Sequence, residues 1–508
     1  MSETFSRVLA GRYVDSVLLM RLAQRLETFD GVDQAAAMMG TDANKSTMAE
    51  RGFLTEEASH THANDLLVSV KARDAAAAQA ALEQVEPLLL ERRGRQDAVE
   101  EVRTLEEALK ARPDLNLALI SVPGEYAGAE ARRALEQGLH VMIFSSNVPL
   151  DQEVELKRLA WDRGLLCMGP DCGTAIIGGV GLAFANIVRR GPVGVVGASG
   201  TGIQAVTSLL DRLGVGVSHA IGCGSHDLSE AVGAVTTIQG LEALEADTST
   251  EAILIISKPP ARVVSAQIRE RAERAQKPVI CCFLGEAEGP QTLADAALQA
   301  ARAVGRDVSS ADLARTPERV QEARARAGSQ QRYLRGLFAG GTLAYEAQLV
   351  LRSRGIDVLS NAPLPGGRSL ADVDHSEGNT IVDLGSEELT RGRPHPMIDS
   401  RLRRDRLLRE AQDPEVAVIL LDFVLGYGSA ADPVGDLAGA IAQVLEDARA
   451  AGRELHVVAS ILGTEKDPQN LGTQESTLRR AGALVAGTSA QAAEIAASLL
   501  PAREEVTA

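Results

Sequence analysis

This chain is poor in aromatic residues, in cysteine and in positive charge. Phe, Trp and Tyr make up 3% of its 508 residues, too few to build a stacking platform for nucleic-acid bases. Lys and Arg number 52 against 69 Asp and Glu, a net charge of -17. No surface of that balance neutralises a phosphate backbone, so nucleic acid is not an expected partner. The five cysteines (Cys167, Cys172, Cys223, Cys281 and Cys282) are odd in number and lack C-x-x-C spacing, which matches neither a disulfide framework nor a zinc site. No metal is expected. No run of about 18 uncharged apolar residues occurs, and no basic start leads into an apolar stretch. A membrane is therefore not an expected partner, and the expected location is the cytoplasm. No glycine turn ends in Gly-Lys-Ser/Thr, so a Walker A loop is missing. Gly197-Ala198-Ser199-Gly200 is out of register for a nucleophile elbow, and no Ser-His-Asp triad can be assigned.

Glycine and aliphatic residues are plentiful. The 47 glycines and the 45% hydrophobic content fit α/β layers joined by tight strand-to-helix turns. A single core stops growing at about 250 to 300 residues, so several domains are expected. A small N-terminal α+β or α/β unit with a charged linker takes residues 1–110. In it, helical patterns at Val17–Leu26 and Ala75–Leu90 flank the apolar run Val32–Met39, the turn Gly40–Lys45 and the strand Asp65–Val70. From Leu115 strands and helices alternate, the signature of βαβ units and parallel sheets. The boundaries expected are 111–190, 191–310 and 333–500, the last two reading as diverged copies of one βαβ fold.

One pattern occurs twice. Val193-Gly194-Val195-Val196 runs into Gly197-Ala198-Ser199-Gly200-Thr201, and Leu334-Arg335-Gly336-Leu337-Phe338 runs into Ala339-Gly340-Gly341-Thr342. In each, an apolar strand meets a glycine turn that opens a helix. Such a turn aims unpaired N–H groups and the positive end of a helix dipole at whatever lies above it. Ser199, Gly200, Thr201, Gly340, Gly341 and Thr342 are thus the expected anion-binding residues, with one phosphate or carboxylate held between the two copies.

In a parallel sheet, ligands sit at the carboxyl ends of the strands, and the loops there supply further candidates. Arg391-Gly392-Arg393-Pro394-His395-Pro396 is a cationic loop. Arg391 and Arg393 suit a carboxylate or phosphate, the alternative being pairs with surface acids. His395 is read as a general acid or base near neutral pH, or as a packing choice between two prolines. Lys258 follows a buried strand, where an anion would stabilise it. Lys45 could reach an anion or stand as a plain surface lysine. Cys172, in Gly169-Pro170-Asp171-Cys172-Gly173, completes the set.

Taken together, the turns resemble a known family. Val122-Pro123-Gly124-Glu125-Tyr126, Met168-Gly169-Pro170-Asp171-Cys172-Gly173, Val193 to Thr201 and Lys277-Pro278-Val279 resemble the α-subunit of succinyl-CoA synthetase and other nucleotide-diphosphate-forming acyl-CoA synthetases. Leu421 to Asp432 and Leu462-Gly463-Thr464-Glu465 resemble the carboxyl-terminal domain of the β-subunit. Over nearly its full length the chain resembles the FdrA family, through Met38 to Lys45, Gly197 to Gln204, Ser257 to Pro260 and Gly392 to Asp399.

The resemblance implies a Rossmann-like CoA-binding-type domain, followed by two flavodoxin-like domains whose helix starts hold a phosphate. Where the synthetases carry a phosphorylated histidine in Gly-His-Ala-Gly, this chain reads Leu284-Gly285-Glu286-Ala287-Glu288-Gly289. It also lacks an ATP-grasp domain and a recognisable glycine-rich CoA loop. The expectation is an enzyme in which inorganic phosphate is a substrate and His395, Arg393 and Lys258 are catalytic. Family likeness suggests carbamoyl transfer between oxalurate and phosphate, giving carbamoyl phosphate and oxamate in purine catabolism. One alternative is a CoA ligase subunit that needs a separate ATP-grasp partner, with coenzyme A near Lys45 and Cys172, the latter otherwise a buried structural thiol. The other is a non-enzymatic metabolite-binding subunit. Protein partner subunits, an oligomeric state and a small carboxylate or phosphate ligand are expected throughout.

Overall fold

A computed structural model describes residues 3–14, 16–90, 102, 104–315, 320–321, 331–390 and 394–501. The chain divides into two units. One is Met1–Asn116 with Glu387–Pro394, and the other is Leu117–Ser386 with His395–Ala508.

In the first unit β1 (Glu3–Leu9), β2 (Val32–Met39) and β3 (Leu66–Ala72) form an antiparallel sheet in the order β1-β3-β2. Side chains alternate across a strand, and the central strand shows it. Leu66, Val68 and Val70 pack with Leu19, Leu22, Leu26, Ala78 and Ala81 from two helices, Ser16–Leu26 and Ala75–Glu83. Leu67 points to the other face, with Met48, Phe53 and Ala58.

Two expectations shift here. The segment Gly40–Lys45 is not a plain turn, because Thr41 caps a helix, Asp42–Glu50, by accepting from the Asn44 amide at 3.3 Å. The helical pattern at Ala75–Leu90 is two helices, Ala75–Glu83 and Val85–Leu90. Pro87 has no N–H, and its ring would meet the carbonyl of Glu83 in a continuous helix, so the chain breaks between them. Most of the expected linker, residues 91–101 and 103, lies outside the described residues.

The second unit holds three sheets. β4 (Leu117–Ile120), β5 (His140–Ile143) and β6 (Cys167–Met168) are parallel neighbours. A six-stranded sheet has the order β12-β11-β9-β10-β7-β8. Its parallel strands are β9 (Arg190–Gly197), β10 (Val217–Gly222), β11 (Ala252–Ser257) and β12 (Val279–Phe283), and its antiparallel edge is the hairpin β7 (Thr174–Ile177) and β8 (Val180–Ala183). β7 and β8 precede residue 190 yet bond into this sheet, not that of β4–β6.

The third sheet is parallel, in the order β15-β14-β16-β13-β17-β18-β19. Its strands are β13 (Tyr333–Phe338), β14 (Leu359–Ser360), β15 (Arg368–Ser369), β16 (Thr380–Asp383), β17 (Val416–Val424), β18 (His456–Leu462) and β19 (Leu484–Ala486). The α/β class with several parallel sheets is thus as expected. One apolar cluster runs between the two larger sheets. It joins Ile203, Val206 and Leu210 of the helix Gly200–Arg212, Ala297 and Ala301 of Leu293–Ala303, Leu343 and Ala347 of Gly341–Ser353, and Ala493 and Ala496 of Ser489–Ser498. Among the described residues no helix is long and apolar enough to cross a membrane.

Candidate functional site

The first glycine turn leaves β9 at Gly197, where a Cβ would stand 2.8 Å from Ile203 and 2.9 Å from Ile256. Only glycine lets the helix return so close to the sheet. Ser199 then caps the helix Gly200–Arg212, its hydroxyl accepting from the Gly202 amide at 2.9 Å. The second turn follows β13. The helix Gly341–Ser353 starts at Gly340 with no side-chain cap, which leaves its first N–H groups for another acceptor. The amides just before it are filled from within: both Ala339 and Gly340 donate to the Asp422 carboxylate at 2.8 Å.

The two helix starts meet. Ser199 Oγ and Thr342 Oγ1 are 2.5 Å apart, and a Cβ on Gly340 would lie 3.1 Å from the Thr201 methyl. Two positive dipole ends therefore face one point, each equivalent to about half a charge. The pairing of Ser199 with Thr342 stitches the tips together, so a ligand is left the end amides and the Thr201 hydroxyl. Lys258, exposed beyond the end of β11, adds a full charge. Its Nζ lies 3.6 Å from where a Cβ on Gly341 would be and 5.9 Å from the Tyr345 ring centre.

Three further residues belong to this place although the sequence did not single them out. Asp383 ends β16 and is 7% exposed. Its Oδ2 stands 2.5 Å from the Cβ position of Gly341, and its Oδ1 accepts from the Gly385 amide at 3.0 Å. Burial, reinforced by Asp422, raises its pKa to about 6 against the opposing pull of Lys258 and the Gly385 amide. Asp422 is fully buried, and burial raises its pKa while Arg403, 3.5 Å away, lowers it. Thr174 Oγ1 is buried without a hydrogen-bond partner among the described residues, 3.2 Å from the Cβ position of Gly200. The signal for Asp383 was its place, an acid at the carboxyl end of a parallel strand, two residues before a glycine.

The other expected residues fare differently. His395 is near the site but is not an acid or base poised at neutral pH. Its Nδ1 accepts from the Met397 amide at 3.2 Å, its Nε2 lies 2.7 Å from the Cβ position of Gly385, and its ring packs against Phe184. Burial and the nearby Arg403 push its pKa down to about 4, so it is a neutral imidazole carrying its proton on Nε2. Arg391 and Arg393 lie outside the described residues. Lys45 belongs to the first unit, where its Nζ donates to the Thr61 carbonyl at 3.1 Å and pairs with Asp42 at 3.1 Å.

Cys172 is a structural thiol. It is 2% exposed, donates to the carbonyls of Thr174 and Gly222, and burial pushes its pKa up to about 12. Burial of Cys172 agrees with the alternative of a structural thiol, and the Lys45 ammonium is engaged within the first unit. In the loop Leu284–Gly289, Glu286 bonds Arg269 at 2.7 Å and Ser265 at 3.1 Å, where the synthetases would present a histidine.

Three family models match the chain: CoA-ligase over residues 337–499, the CoA binding domain over 188–285, and the AllF heavy metal-associated domain over 1–105. The last name does not fit the residues as a metal site. No cysteine precedes Cys167, and among the described residues no cluster of His, Cys, Asp or Glu is placed to hold an ion. Over 505 residues the chain is 41% identical to the protein YahF of Escherichia coli (strain K12), covering 97% of this chain and 98% of that one. It is 27% identical over 191 residues to the succinate–CoA ligase [ADP-forming] subunit alpha of Staphylococcus epidermidis, covering 37% of this chain and 62% of that subunit. Among solved structures, the dinucleotide forming acetyl-coenzyme A synthetase 1 of Ca. Korarchaeum cryptofilum has a TM-score of 0.32 and 16% identity, covering 80% of this chain and 86% of that one.

Proposed function

The chain belongs to the family of Escherichia coli YahF, and from that starting point we propose that it transfers a carbonyl group to or from inorganic phosphate held at the paired helix tips. Homology to CoA ligases supports an acid–thiol ligase-like enzyme. The observation that carries the finer reading is the 2.5 Å approach of Ser199 to Thr342, which sets two helix dipoles and Lys258 against one point. Preorganised donors of this kind stabilise the charge of a phosphoryl or oxyanion group without reorganising during reaction.

The absence of histidine from Leu284–Gly289 favours direct attack by phosphate over a phosphohistidine relay. With oxalurate as donor, an oxygen of hydrogenphosphate bonds to the carbamoyl carbon, the bond from that carbon to the oxamate nitrogen breaks, and the phosphate proton ends on that nitrogen. Carbamoyl phosphate and oxamate result. The chain works in an oligomer with partner subunits in this reading.

The matches to CoA-ligase and the CoA binding domain favour a second reading, an acid–thiol ligase subunit completed by a nucleotide-binding partner. Phosphorus NMR separates the two. Inorganic phosphate titrated with the purified chain should broaden on binding, and Lys258→Ala and Thr342→Val should weaken the binding, so that broadening needs more of the chain. Oxalurate and phosphate should yield carbamoyl phosphate, and the same substitutions should slow this about 100-fold, the usual scale for one electrostatic donor. Loss of the first reading would show as no carbamoyl phosphate, together with a phosphorylated chain after incubation with ATP and a partner.

A further inference from the structure

The following inference deepens the proposed function and rests on the helix tips being a phosphate site. We propose that Asp383 is the catalytic residue that carries the proton in the transfer, giving it to the leaving nitrogen and regaining one from the attacking hydrogenphosphate.

The placement of Asp383 is unusually fixed. It is the last residue of β16 and pairs with Phe338 of β13, the strand from which the Gly341 helix departs. Its backbone is held from both sides by Asn361, which accepts from the Asp383 amide at 2.9 Å and donates to its carbonyl at 3.0 Å. Oδ1 is anchored by the Gly385 amide. Oδ2 points at the helix start and has no hydrogen-bond partner among the described residues. Asp422, the neighbouring buried acid, differs: its two oxygens are taken by the amides of Ala339 and Gly340. Of the two carboxylates at the second tip, only Asp383 has an oxygen left for a substrate.

The charged and titratable groups around it come from each element packed there. Lys258 lies at the end of β11, Asp422 is on β17, Arg403 is on the helix Arg401–Glu410, and the neutral ring of His395 lies over Gly385. Burial and Asp422 hold Asp383 at about 6, so both its forms are present near neutral pH, as an acid–base group requires.

The proton balance closes. Protonated Asp383 gives its proton to the oxamate nitrogen as the carbon–nitrogen bond breaks. Its carboxylate then takes the proton of the hydrogenphosphate that has bonded to the carbamoyl carbon, and the residue returns to its starting form. In reverse, protonated Asp383 gives its proton to the phosphate oxygen as the carbon–oxygen bond breaks, and its carboxylate takes one from the oxamate amide nitrogen as that nitrogen bonds to the carbamoyl carbon.

Asp383→Asn keeps the shape and removes the ionisation. Sulfate does not titrate in the working range, so calorimetry with sulfate on the full chain reads the protein's own groups, and Asp383→Asn separates Asp383 from Glu346, which burial raises to about 7 on the helix Gly341–Ser353. Affinity of the wild type should fall several-fold from about pH 5 to about pH 8 as Asp383 gains charge, and Asp383→Asn should flatten the profile. Turnover of oxalurate and phosphate by Asp383→Asn should drop about 100-fold with the phosphate KM changed little. A carbamoyl donor whose leaving group needs no proton, p-nitrophenyl carbamate, should restore most of that loss. Lys258→Gln is the second variant, and should move the midpoint of the sulfate profile upward.

An unchanged profile in Asp383→Asn, an unmoved midpoint in Lys258→Gln or wild-type turnover of oxalurate by Asp383→Asn overturns the role of Asp383 while leaving the anion site standing. A wild type that binds neither sulfate nor phosphate overturns the proposed function itself.

Discussion

Burial decides the chemistry of single side chains in this protein more than residue type does. Glu346 shows it most plainly. It lies one turn beyond Thr342 on the same helix, is 1% exposed, and accepts from the Leu293 amide at 2.7 Å. Burial raises its pKa to about 7 from an ordinary value of 4.5. The folded state therefore binds a proton that the unfolded state releases, so stability is fullest below about pH 4.5 and is lost as pH rises through about 7. The difference is on the order of 3 kcal/mol. Glu346→Gln should remove this slope from the pH dependence of urea midpoints and make the protein more stable than wild type at about pH 8. Equal slopes in the two proteins would refute it. The same physics explains what the sequence hid. Pro394-His395-Pro396 shows a histidine in a rigid loop, but not its burial, in which Phe184 from far along the sequence packs on the ring, nor the charge of Arg403 that adds to the shift. Asp383 looked like any acid at a strand end until Gly341 and Lys258 were folded against it.

At the scale of elements, the strands were legible because strands buried on both faces of a parallel sheet read as near-continuous apolar runs, as residues 252–256 of β11 and 416–421 of β17 do. Helix starts were legible from glycine. The β7–β8 hairpin was missed although its signal was present: Gly178 and Gly179 both have positive φ, 60° and 86°, and Ile177 pairs with Val180 across them. Two glycines between apolar residues are the turn such a two-residue connection needs. The two-residue strands β14 and β15 carry too little pattern to be read. Glycine at the second helix start gives a test at this scale. In Gly341→Ala the new Cβ would stand 2.5 Å from Asp383 Oδ2, so the carboxylate or the helix must move. Alanine itself favours a helix by about 1 kcal/mol, so thermal melting should change little while sulfate affinity falls about tenfold. A variant that binds sulfate as tightly as wild type would mean that the tip is not the binding surface.

Across the second unit, polar ties cross the same seam as the shared apolar cluster. Asp467 takes both the Asn186 side chain and the Ile187 amide at 2.7 Å, the Thr464 hydroxyl donates to the Ile187 carbonyl at 2.8 Å, and Arg212 donates to the Gly487 carbonyl at 2.6 Å. Two sheets joined this way cannot open one at a time without exposing a common core. Hydrogen exchange followed by mass spectrometry should therefore show Val193–Val196 and Leu334–Phe338 losing protection together as denaturant is added. Earlier loss in either strand would show that they are independent. The meeting of Ser199 with Thr342 has a mechanical consequence. Each sheet owns one of the two helix starts that make the proposed anion cradle, so parting the sheets would dismantle it. Under the proposed function, a hinge along that line would stay shut while phosphate is held, leaving the side of Lys258 as the way in and out.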